Sequence, residues 1–172
     1  MNEWPGASPQ TARAAERQPT NFDGLKTEVV DVDDLVVTRS IACQCGNPTG
    51  RVIAGEPLPD WGWLDPLTWV CDGCEKSHNF FDSARDGYDG RLGHGTTHRQ
   101  AENQVEIDCP ECGGQSLQVQ CPLAYNVAAS ELDDILGPNK SHRLTDYFDW
   151  LEAKAECVSC RRRFTIGDWE LA

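Results

Sequence analysis

The chain has 172 residues, of which 39% are apolar and 25% are charged, and its formal net charge is −13. This length suffices for one compact domain or two small ones. The sequence lacks the roughly 20 consecutive apolar residues that a membrane-spanning helix requires, and its N-terminus lacks the basic start and apolar run of a signal peptide. We therefore expect a cytoplasmic protein without a membrane segment.

The first predicted elements are a tail and a β-hairpin. Residues 1–24 are rich in Pro, Ala, Gln and Asn with little apolar patterning, which predicts a disordered tail. Alternation then begins after Asp34 and predicts a strand with one face formed by Leu35, Val37, Arg39, Ile41 and Cys43. Turn residues follow, and residues 51–54 predict the return strand of the hairpin.

The same plan of strand, cysteine pair and strand recurs three more times along the chain. It predicts hairpins with cysteine pairs at their tips around residues 71–74, 109–112 and 157–160. A short helix is predicted at Ser130–Leu136, because Ser130 and Asp133 form a capping arrangement and Gly137-Pro138 ends it. Residues 141–149 are a second candidate for a helical turn.

Cysteine spacing is the strongest signal in the sequence. Nine cysteines, an odd number, mostly in closely spaced pairs, fit a metal framework better than a disulfide framework. A turn that carries two cysteines supplies half of a tetrahedral zinc site, so two turns make one site. The candidate ligands are Cys43, Cys45, Cys71, Cys74, Cys109, Cys112, Cys157 and Cys160.

Chain order favours one ion held by the first four of these cysteines and a second ion held by the last four, because consecutive elements usually lie adjacent. A cross-braced arrangement that shares ligands between the two halves is the alternative. Thiolate tetrads also hold iron, so the spacing alone leaves zinc and iron open. Four protein ligands leave no open coordination position, and we therefore expect two structural zinc ions.

The knuckles resemble those of the zinc-ribbon group. Cys109-Pro110-Glu111-Cys112-Gly113 is similar to its CPxCG knuckle, and the pairs at 71–74 and 157–160 have its CxxC spacing, whereas Cys43-Gln44-Cys45 is one residue shorter. The resemblance covers the knuckles and their flanking strands. We expect a small, mostly-β, metal-stabilised fold with two tandem zinc-ribbon-like lobes, residues 34–100 and 101–172, and one or two short helices in the second.

Two other groups could have taken part in a site. Cys121 is the ninth cysteine, and it shares one face of a predicted strand with Leu117, Val119 and Leu123, which favours a buried apolar role over a nucleophile. His78 could replace Cys43 or Cys45 as a ligand, but a strand position beside Phe80 is the preferred interpretation. His94 and His98 lie among glycines and indicate a loop.

The sequence shows no combination of nucleophile, base and oriented partner, and no phosphate-binding glycine loop, so we expect a protein that is not an enzyme. Its acidity repels phosphate groups and attracts basic proteins. We therefore expect a basic protein partner, as for an inhibitor or immunity protein. The candidate contacts are an acidic loop and two aromatic anchors, namely Asp82, Asp86, Tyr88, Asp89, Trp61 and Trp63.

The alternative function rests on the basic cluster Arg161–Arg163, which directly follows the last knuckle. A cluster at this position would suit a nucleic-acid-associated zinc ribbon in transcription or RNA metabolism. Nearby acidic residues such as Glu152 and Glu156 favour the simpler interpretation of a solvated face.

Overall fold

The structure is a computed structural model that describes residues 22, 24–33, 36–58, 62–82, 103–125 and 148–170. These residues form nine β-strands and contain no α-helix. The predicted helix at 130–136 lies outside them, and the last two residues of the predicted turn at 141–149 belong to a strand. The strands are β1 Leu25–Asp33, β2 Val36–Cys43, β3 Gly50–Leu58, β4 Gly62–Cys71, β5 Ser77–Phe81, β6 Gln104–Glu106, β7 Leu117–Tyr125, β8 Phe148–Cys157 and β9 Arg163–Glu170.

All nine strands belong to one antiparallel sheet. Its main path has the order β1-β2-β7-β3-β4-β5, while β6 pairs with β3, and β8 pairs with β7 and β9. Two of the predicted hairpins are confirmed, because β4 pairs with β5 and β8 pairs with β9. The mostly-β character expected from the sequence is also confirmed.

The other two predicted hairpins are wrong, since β2 and β3 are separated by β7, and β6 pairs with β3 instead of β7. After the pairs Cys43/Cys45 and Cys109/Cys112, the turn does not bring the chain back beside the strand that precedes it. Instead, the carbonyl of Thr49 accepts a hydrogen bond from the N–H of Asp72, and the carbonyl of Ser116 accepts one from the N–H of Val158. β3 therefore starts beside the turn of Cys71 and Cys74, and β7 starts beside the turn of Cys157 and Cys160.

β2 and β6 each precede the first cysteine pair of a four-cysteine group, and they pair with β7 and β3 in the same register. Ser40 of β2 pairs with Gln120 of β7, and Glu106 of β6 pairs with Ile53 of β3. Ser40 and Glu106 each stand three residues before the first knuckle cysteine of their half. The first strand of each half thus occupies an equivalent place on the sheet of the other half.

The second hairpins of the two halves are equivalent as well. The register of β4 and β5 shifts next to the pair Leu67 and Phe81, and the register of β8 and β9 shifts next to the pair Ala153 and Gly167. Both members of the second pair lie 86 residues after those of the first. Residues 36–82 and 103–170 are hereafter the first and second halves, and their described strands form two similar units that exchange their first strands.

This exchange replaces the simple tandem arrangement that we expected. The halves do correspond to one another along the chain, but β2 of the first half hydrogen-bonds to β7 of the second, and β6 of the second to β3 of the first. Gly50 and Leu117 pair with each other where the two units meet. The sheet therefore joins the halves by main-chain hydrogen bonds.

The predicted inward faces are confirmed wherever the structure describes them. In β2 the buried residues are Val37, Arg39, Ile41 and Cys43, and in β7 they include Leu117, Val119, Cys121 and Leu123. Arg39 donates a hydrogen bond to Thr27 Oγ1 of β1, which supports a cationic side chain within the core.

The sequence did not predict β1, and it placed Phe22 in the disordered tail. Phe22 is fully buried in the hydrophobic core, together with Leu25 at the start of β1. β1 pairs along the free side of β2, beginning with Leu25 opposite Cys43. The N-terminal side of the core is therefore completed by residues that precede the first half.

Candidate metal centres

The side chains of eight cysteines converge in two groups. One group contains Cys43, Cys45, Cys71 and Cys74, hereafter the first tetrad, and the other contains Cys109, Cys112, Cys157 and Cys160, the second tetrad. Within each tetrad the sulfur atoms all lie within 4.8 Å of one another. These are the groups that chain order predicted, and the cross-braced alternative is not found.

The sulfur separations suit a single tetrahedral ion. The Sγ atoms of Cys43 and Cys74 are 3.4 Å apart, and those of Cys45 and Cys71 are 3.6 Å apart. The corresponding separations in the second tetrad are 3.5 and 3.6 Å. Four sulfurs at about 2.3 Å from one zinc ion lie about 3.8 Å apart, whereas a disulfide bond requires about 2.05 Å. Each tetrad could therefore hold one metal ion.

The first knuckle of each tetrad is closed by a main-chain turn. In the first half, the N–H of Gly46 donates to the carbonyl of Cys43 over 2.8 Å, and in the second half Gly113 does the same to Cys109 over 2.8 Å. Both glycines have positive φ, 93° and 69°, a conformation that glycine adopts without steric cost. The shorter Cys43-Gln44-Cys45 spacing is thus accommodated by a turn with one residue fewer.

The second knuckle of each tetrad ends on a non-glycine residue with positive φ, namely Glu75 at 57° and Arg161 at 63°. Glu75 donates its N–H to the carbonyl of Cys71, and Arg161 donates to Cys157, each over 2.9 Å. Left-handed backbone is uncommon for such residues. The same conformation in both halves indicates that the position after the last cysteine is dictated by the shape of the knuckle.

Several donors surround Cys71 in the first tetrad. The N–H of Gly73 lies 3.3 Å from its Sγ atom, and the side-chain amide Nδ2 of Asn47 lies 3.6 Å from it. Burial raises the pKa of the Cys71 thiol, but the N–H groups of Cys74 and Gly73 and the Asn47 amide outweigh burial and lower this pKa to about 6. These N–H groups therefore favour the thiolate form of Cys71, which is the form that binds a metal cation.

The second tetrad polarises its cysteines in a similar way through the main chain. The N–H of Cys160 hydrogen-bonds to Cys157 Sγ and lowers the pKa of the Cys157 thiol to about 7 despite burial. For Cys160, a hydrogen bond from the N–H of Arg162 favours the thiolate, but desolvation and the neighbouring cysteines outweigh it and raise its pKa to about 12. One cysteine thus ionises well before its neighbour, as expected when like charges crowd a small volume.

A short path of hydrogen bonds joins the two tetrads. Asp72 follows Cys71, and its carboxylate accepts a hydrogen bond of 2.5 Å from Ser116 Oγ. The carbonyl of Ser116 accepts a hydrogen bond of 3.0 Å from the N–H of Val158, which follows Cys157. Neither Asp72 nor Ser116 was singled out from the sequence, because their contact depends on the meeting of the two halves.

His78 lies beside the first tetrad without replacing a cysteine in it. Its Nε2 atom is 3.9 Å from Cys43 Sγ, and its ring centroid is 6.5 Å from that of Trp69. Burial, with a further contribution from Lys76, lowers the pKa of His78 and so favours the neutral imidazole. Cys121, the remaining cysteine, is fully buried, in agreement with the apolar role predicted for it.

The predicted partner contacts lie almost entirely outside the part of the chain that the structure describes. Asp82 is half-buried after β5, whereas Trp61, Asp86, Tyr88 and Asp89 fall outside the described residues. The structure describes the backbone of Trp63 in β4 but not its side chain. The structure therefore leaves the partner surface as a prediction.

The arginine cluster after the last knuckle is engaged in ion pairs. Arg161 lies 2.6 Å from one carboxylate oxygen of Glu156, and Arg163 lies 2.7 Å from the other. The hydrogen bond from Arg163 lowers the pKa of Glu156, so this carboxylate stays charged above acidic pH. Two of the three arginines thus share one counter-ion within the protein.

Comparison of the chain with protein-family models, with curated proteins and with solved structures found no match. Among the described residues, no helix reaches the length and hydropathy that crossing a bilayer demands.

Proposed function

We propose that this protein is a non-enzymatic interaction module in which each tetrad binds one structural zinc ion and an acidic surface binds a basic protein. The observation that carries this proposal is the convergence of four cysteine side chains at each of two equivalent places in an exchanged sheet. A thiolate tetrad holds its ion by protein ligands alone and offers no position to a substrate.

The sulfur spacing supports a single ion at each tetrad. A polynuclear iron–sulfur cluster holds its four thiolates around several metal atoms and spreads them further than one ion does. The 3.4 to 3.6 Å contacts within the tetrads suit the smaller arrangement. Zinc is the common occupant of closed four-cysteine sites, and one iron atom is the competing occupant.

Metal content is the first test of this proposal. Native mass spectrometry and elemental analysis of the purified chain should give two zinc ions per molecule. A chelator should remove both ions with loss of the β-structure signal in circular dichroism, because a metal site of this kind and its fold form together. A chain that purifies without metal, or a coloured chain that contains iron, would contradict the zinc assignment.

The absence of an enzymatic role is supported by the cysteines themselves. Eight of the nine belong to the tetrads, and the ninth, Cys121, is fully buried. Burial raises the pKa of the Cys121 thiol, which leaves it protonated and a poor nucleophile. Eight cysteines are thus assigned to metal ions and the ninth is closed to solvent, which supports a role other than thiol catalysis.

The charge of the chain supports a basic protein partner. Its formal net charge is −13, and four thiolates around each zinc would take it to about −17. Such a charge accelerates association with a basic protein and opposes the approach of nucleic acid. The binding of Arg161 and Arg163 to Glu156 further weakens the case for phosphate contact by this cluster. An inhibitor of a basic enzyme would have these properties.

The partner test should use charge reversal in the predicted acidic loop. The full chain, immobilised with its metal, should capture a basic protein from the source cell, and Asp86→Lys with Asp89→Lys should slow its association. Asp108→Lys with Glu111→Lys, at exposed positions beside the second tetrad, is a control with the same charge change. Capture of an acidic partner, or oligonucleotide binding that disappears when Arg161, Arg162 and Arg163 are replaced by Ala, would favour the nucleic-acid alternative instead.

A further inference from the structure

β1 is the last strand at one end of the main sheet path. It pairs with β2 along one side, and no described strand pairs with its other side. An edge strand presents main-chain N–H and C=O groups with which a further strand can pair. β1 has nine residues, which is long for an edge strand and sufficient for a ladder of several hydrogen bonds. Its backbone therefore offers a place for one additional strand.

The solvent face of β1 carries three carboxylates in a regular row. Glu28, Asp31 and Asp33 are all exposed, and they are hereafter the acidic row. They pair with Ser40, Thr38 and Val36 of β2, which are uncharged residues at every second position of that strand. The shift of register between Val29 and Asp31 brings Glu28 and Asp31 into this spacing, although three positions separate them along the chain. The acidic row therefore repeats with the period of side chains on one face of a strand.

The charge of the acidic row is not neutralised within the described part of the chain. Other carboxylates of the sheet have cationic partners there, since Glu106 pairs with Arg51, Glu152 with Lys154, and Glu156 with Arg161 and Arg163. Among the described residues, none of the three carboxylates of the acidic row forms an ion pair. β1 thus combines an open backbone edge with carboxylates that still lack a counter-ion.

The bulge also exposes an apolar side chain beside the acidic row. Val30 and Asp31 follow one another in the exposed part of β1, because the bulge interrupts the alternation at this point. The side chain of Val30 is 44% exposed, and it is one of two large apolar side chains with such exposure among the described residues. A strand added at the edge of β1 would have an apolar contact between its charged ones.

Charge determines which strand fits this edge. The exposed charged residues of β1 are the acidic row and Lys26, three carboxylates and one ammonium group, with a net charge of −2. A second copy of this chain would place the same charge against it, which opposes pairing. A strand with lysine or arginine at alternate positions would instead place its cations beside the carboxylates.

We propose that the open edge of β1 binds an extended basic segment of a protein partner as an additional strand. Main-chain hydrogen bonds supply affinity in this mode of binding, and the side chains at alternate positions supply specificity. This inference rests on the proposed function, because it names the surface and the manner in which a basic partner binds.

The test uses the full chain and a synthetic peptide of the length of β1, in which lysine alternates with valine. Titration should show binding at low ionic strength that weakens as salt is added, and a peptide with glutamate in place of lysine should not bind. NMR should show main-chain contacts between the lysine peptide and residues 28–33. The β1 amides that face away from β2 should exchange more slowly when this peptide is bound.

Methylation of the main-chain nitrogen atoms of the peptide separates strand addition from simple charge attraction. The methylated peptide keeps its charges but has no N–H group to donate to β1, so we expect its affinity to fall by about tenfold. This comparison uses the wild-type chain and does not depend on the folding of any variant.

Charge reversal identifies the surface. Asp31→Lys with Asp33→Lys should weaken binding of the lysine peptide by about tenfold. Asp108→Lys with Glu111→Lys makes the same change of net charge at exposed positions beside the second tetrad and is the matched control, for which we expect a much smaller loss. Equal effects of the two double variants, or equal binding of the methylated and unmethylated peptides, overturn this inference.

The position of the contacts separates this inference from the proposed function. NMR contacts confined to residues 82–89 would overturn strand addition at β1 and leave the proposed function intact, because the acidic loop would then bind the basic partner. A chain that binds oligonucleotides and no basic peptide or protein overturns both.

Discussion

Gly50 and Leu117 pair with each other at equivalent positions of the two halves. The indole of Trp69 covers Gly50, and a β-carbon at this glycine would lie 2.4 Å from Trp69 Cε2. In the second half, Leu117 takes the place of Gly50, and Ala155 takes the place of Trp69. The two halves thus fill equivalent space with opposite combinations of large and small residues.

This complementary filling predicts a strong effect of Gly50→Ala. The new methyl group would lie 2.4 Å from the buried Trp69 ring and 2.5 Å from the carbonyl oxygen of Val70, so the sheet must shift to admit it. We expect the free energy of unfolding of the metal-loaded protein to fall by about 3 kcal/mol in urea titrations. Gly46→Ala, which changes a turn with no neighbour within 4 Å, should cost only about 1 kcal/mol. Equal effects of the two variants would show that the contact with Trp69 is not limiting.

The exchange of β2 and β6 predicts that the two halves unfold together. Replacement of Cys157 by Ser disrupts the second tetrad. Because β7 pairs with β2 and β6 pairs with β3, the amides of the first half should also lose their protection from hydrogen exchange. Hydrogen exchange of the β4 and β5 amides, far along the chain from the substitution, measures this coupling. Full protection of these amides in Cys157→Ser would mean that the halves are independent.

The hydrogen bond between Ser116 and Asp72 predicts coupling between the tetrads. Ser116→Ala removes the hydroxyl that meets the Asp72 carboxylate and should cost about 1 kcal/mol of stability. It should also accelerate metal loss from the first tetrad to a chelator, since the turn beside Cys71 loses its bond to Ser116, whereas the main-chain carbonyl of residue 116 still accepts the N–H of Val158 beside the second tetrad. Thr165→Ala removes an exposed hydrogen bond to Glu152 and is the matched control, for which we expect unchanged release rates.

Cys121 predicts a specific loss of stability at alkaline pH. Burial raises the pKa of this thiol in the folded chain, whereas the unfolded chain releases the proton near pH 8.5. Its contribution is therefore fully present below pH 8.5 and declines as the pH rises above that value, by up to about 1.4 kcal/mol per pH unit. Urea titrations between pH 8 and 10 should show a shallower decline for Cys121→Ala than for the wild-type chain. Parallel declines would indicate that Cys121 ionises equally well in the folded state.

Much of the local structure could be predicted from the sequence, but the exchange could not. Alternation in residues 36–43 correctly predicted that Val37, Ile41 and Cys43 face the core. Alternation determines which face of a strand is buried and carries no information on which strand lies beside it. The two tetrads were predictable because a tetrahedral ion needs four ligands, and the first four paired cysteines along the chain form one group and the last four form the other.

β1 escaped prediction for a different reason. Its buried residues Leu25 and Val32 are seven positions apart, so strict alternation cannot place both on one face. The structure resolves this through a bulge at Val30, where the register with β2 shifts between Val29 and Asp31. One inserted residue reverses the alternation of buried and exposed residues, so strict alternation does not identify this strand.

The exchanged pairing also dictates an order of events during protein synthesis. β2 is complete at Cys43, but its partner β7 begins at Leu117, so the ribosome must add a long further segment before the edge of β2 is covered. Until then the nascent chain presents a paired hairpin with an open backbone edge, which is the feature by which strands of different molecules recognise each other. On a crowded polysome, β7 of a neighbouring copy fits that edge as well as the chain's own, and refolding at low protein concentration is the condition that favours pairing within one chain.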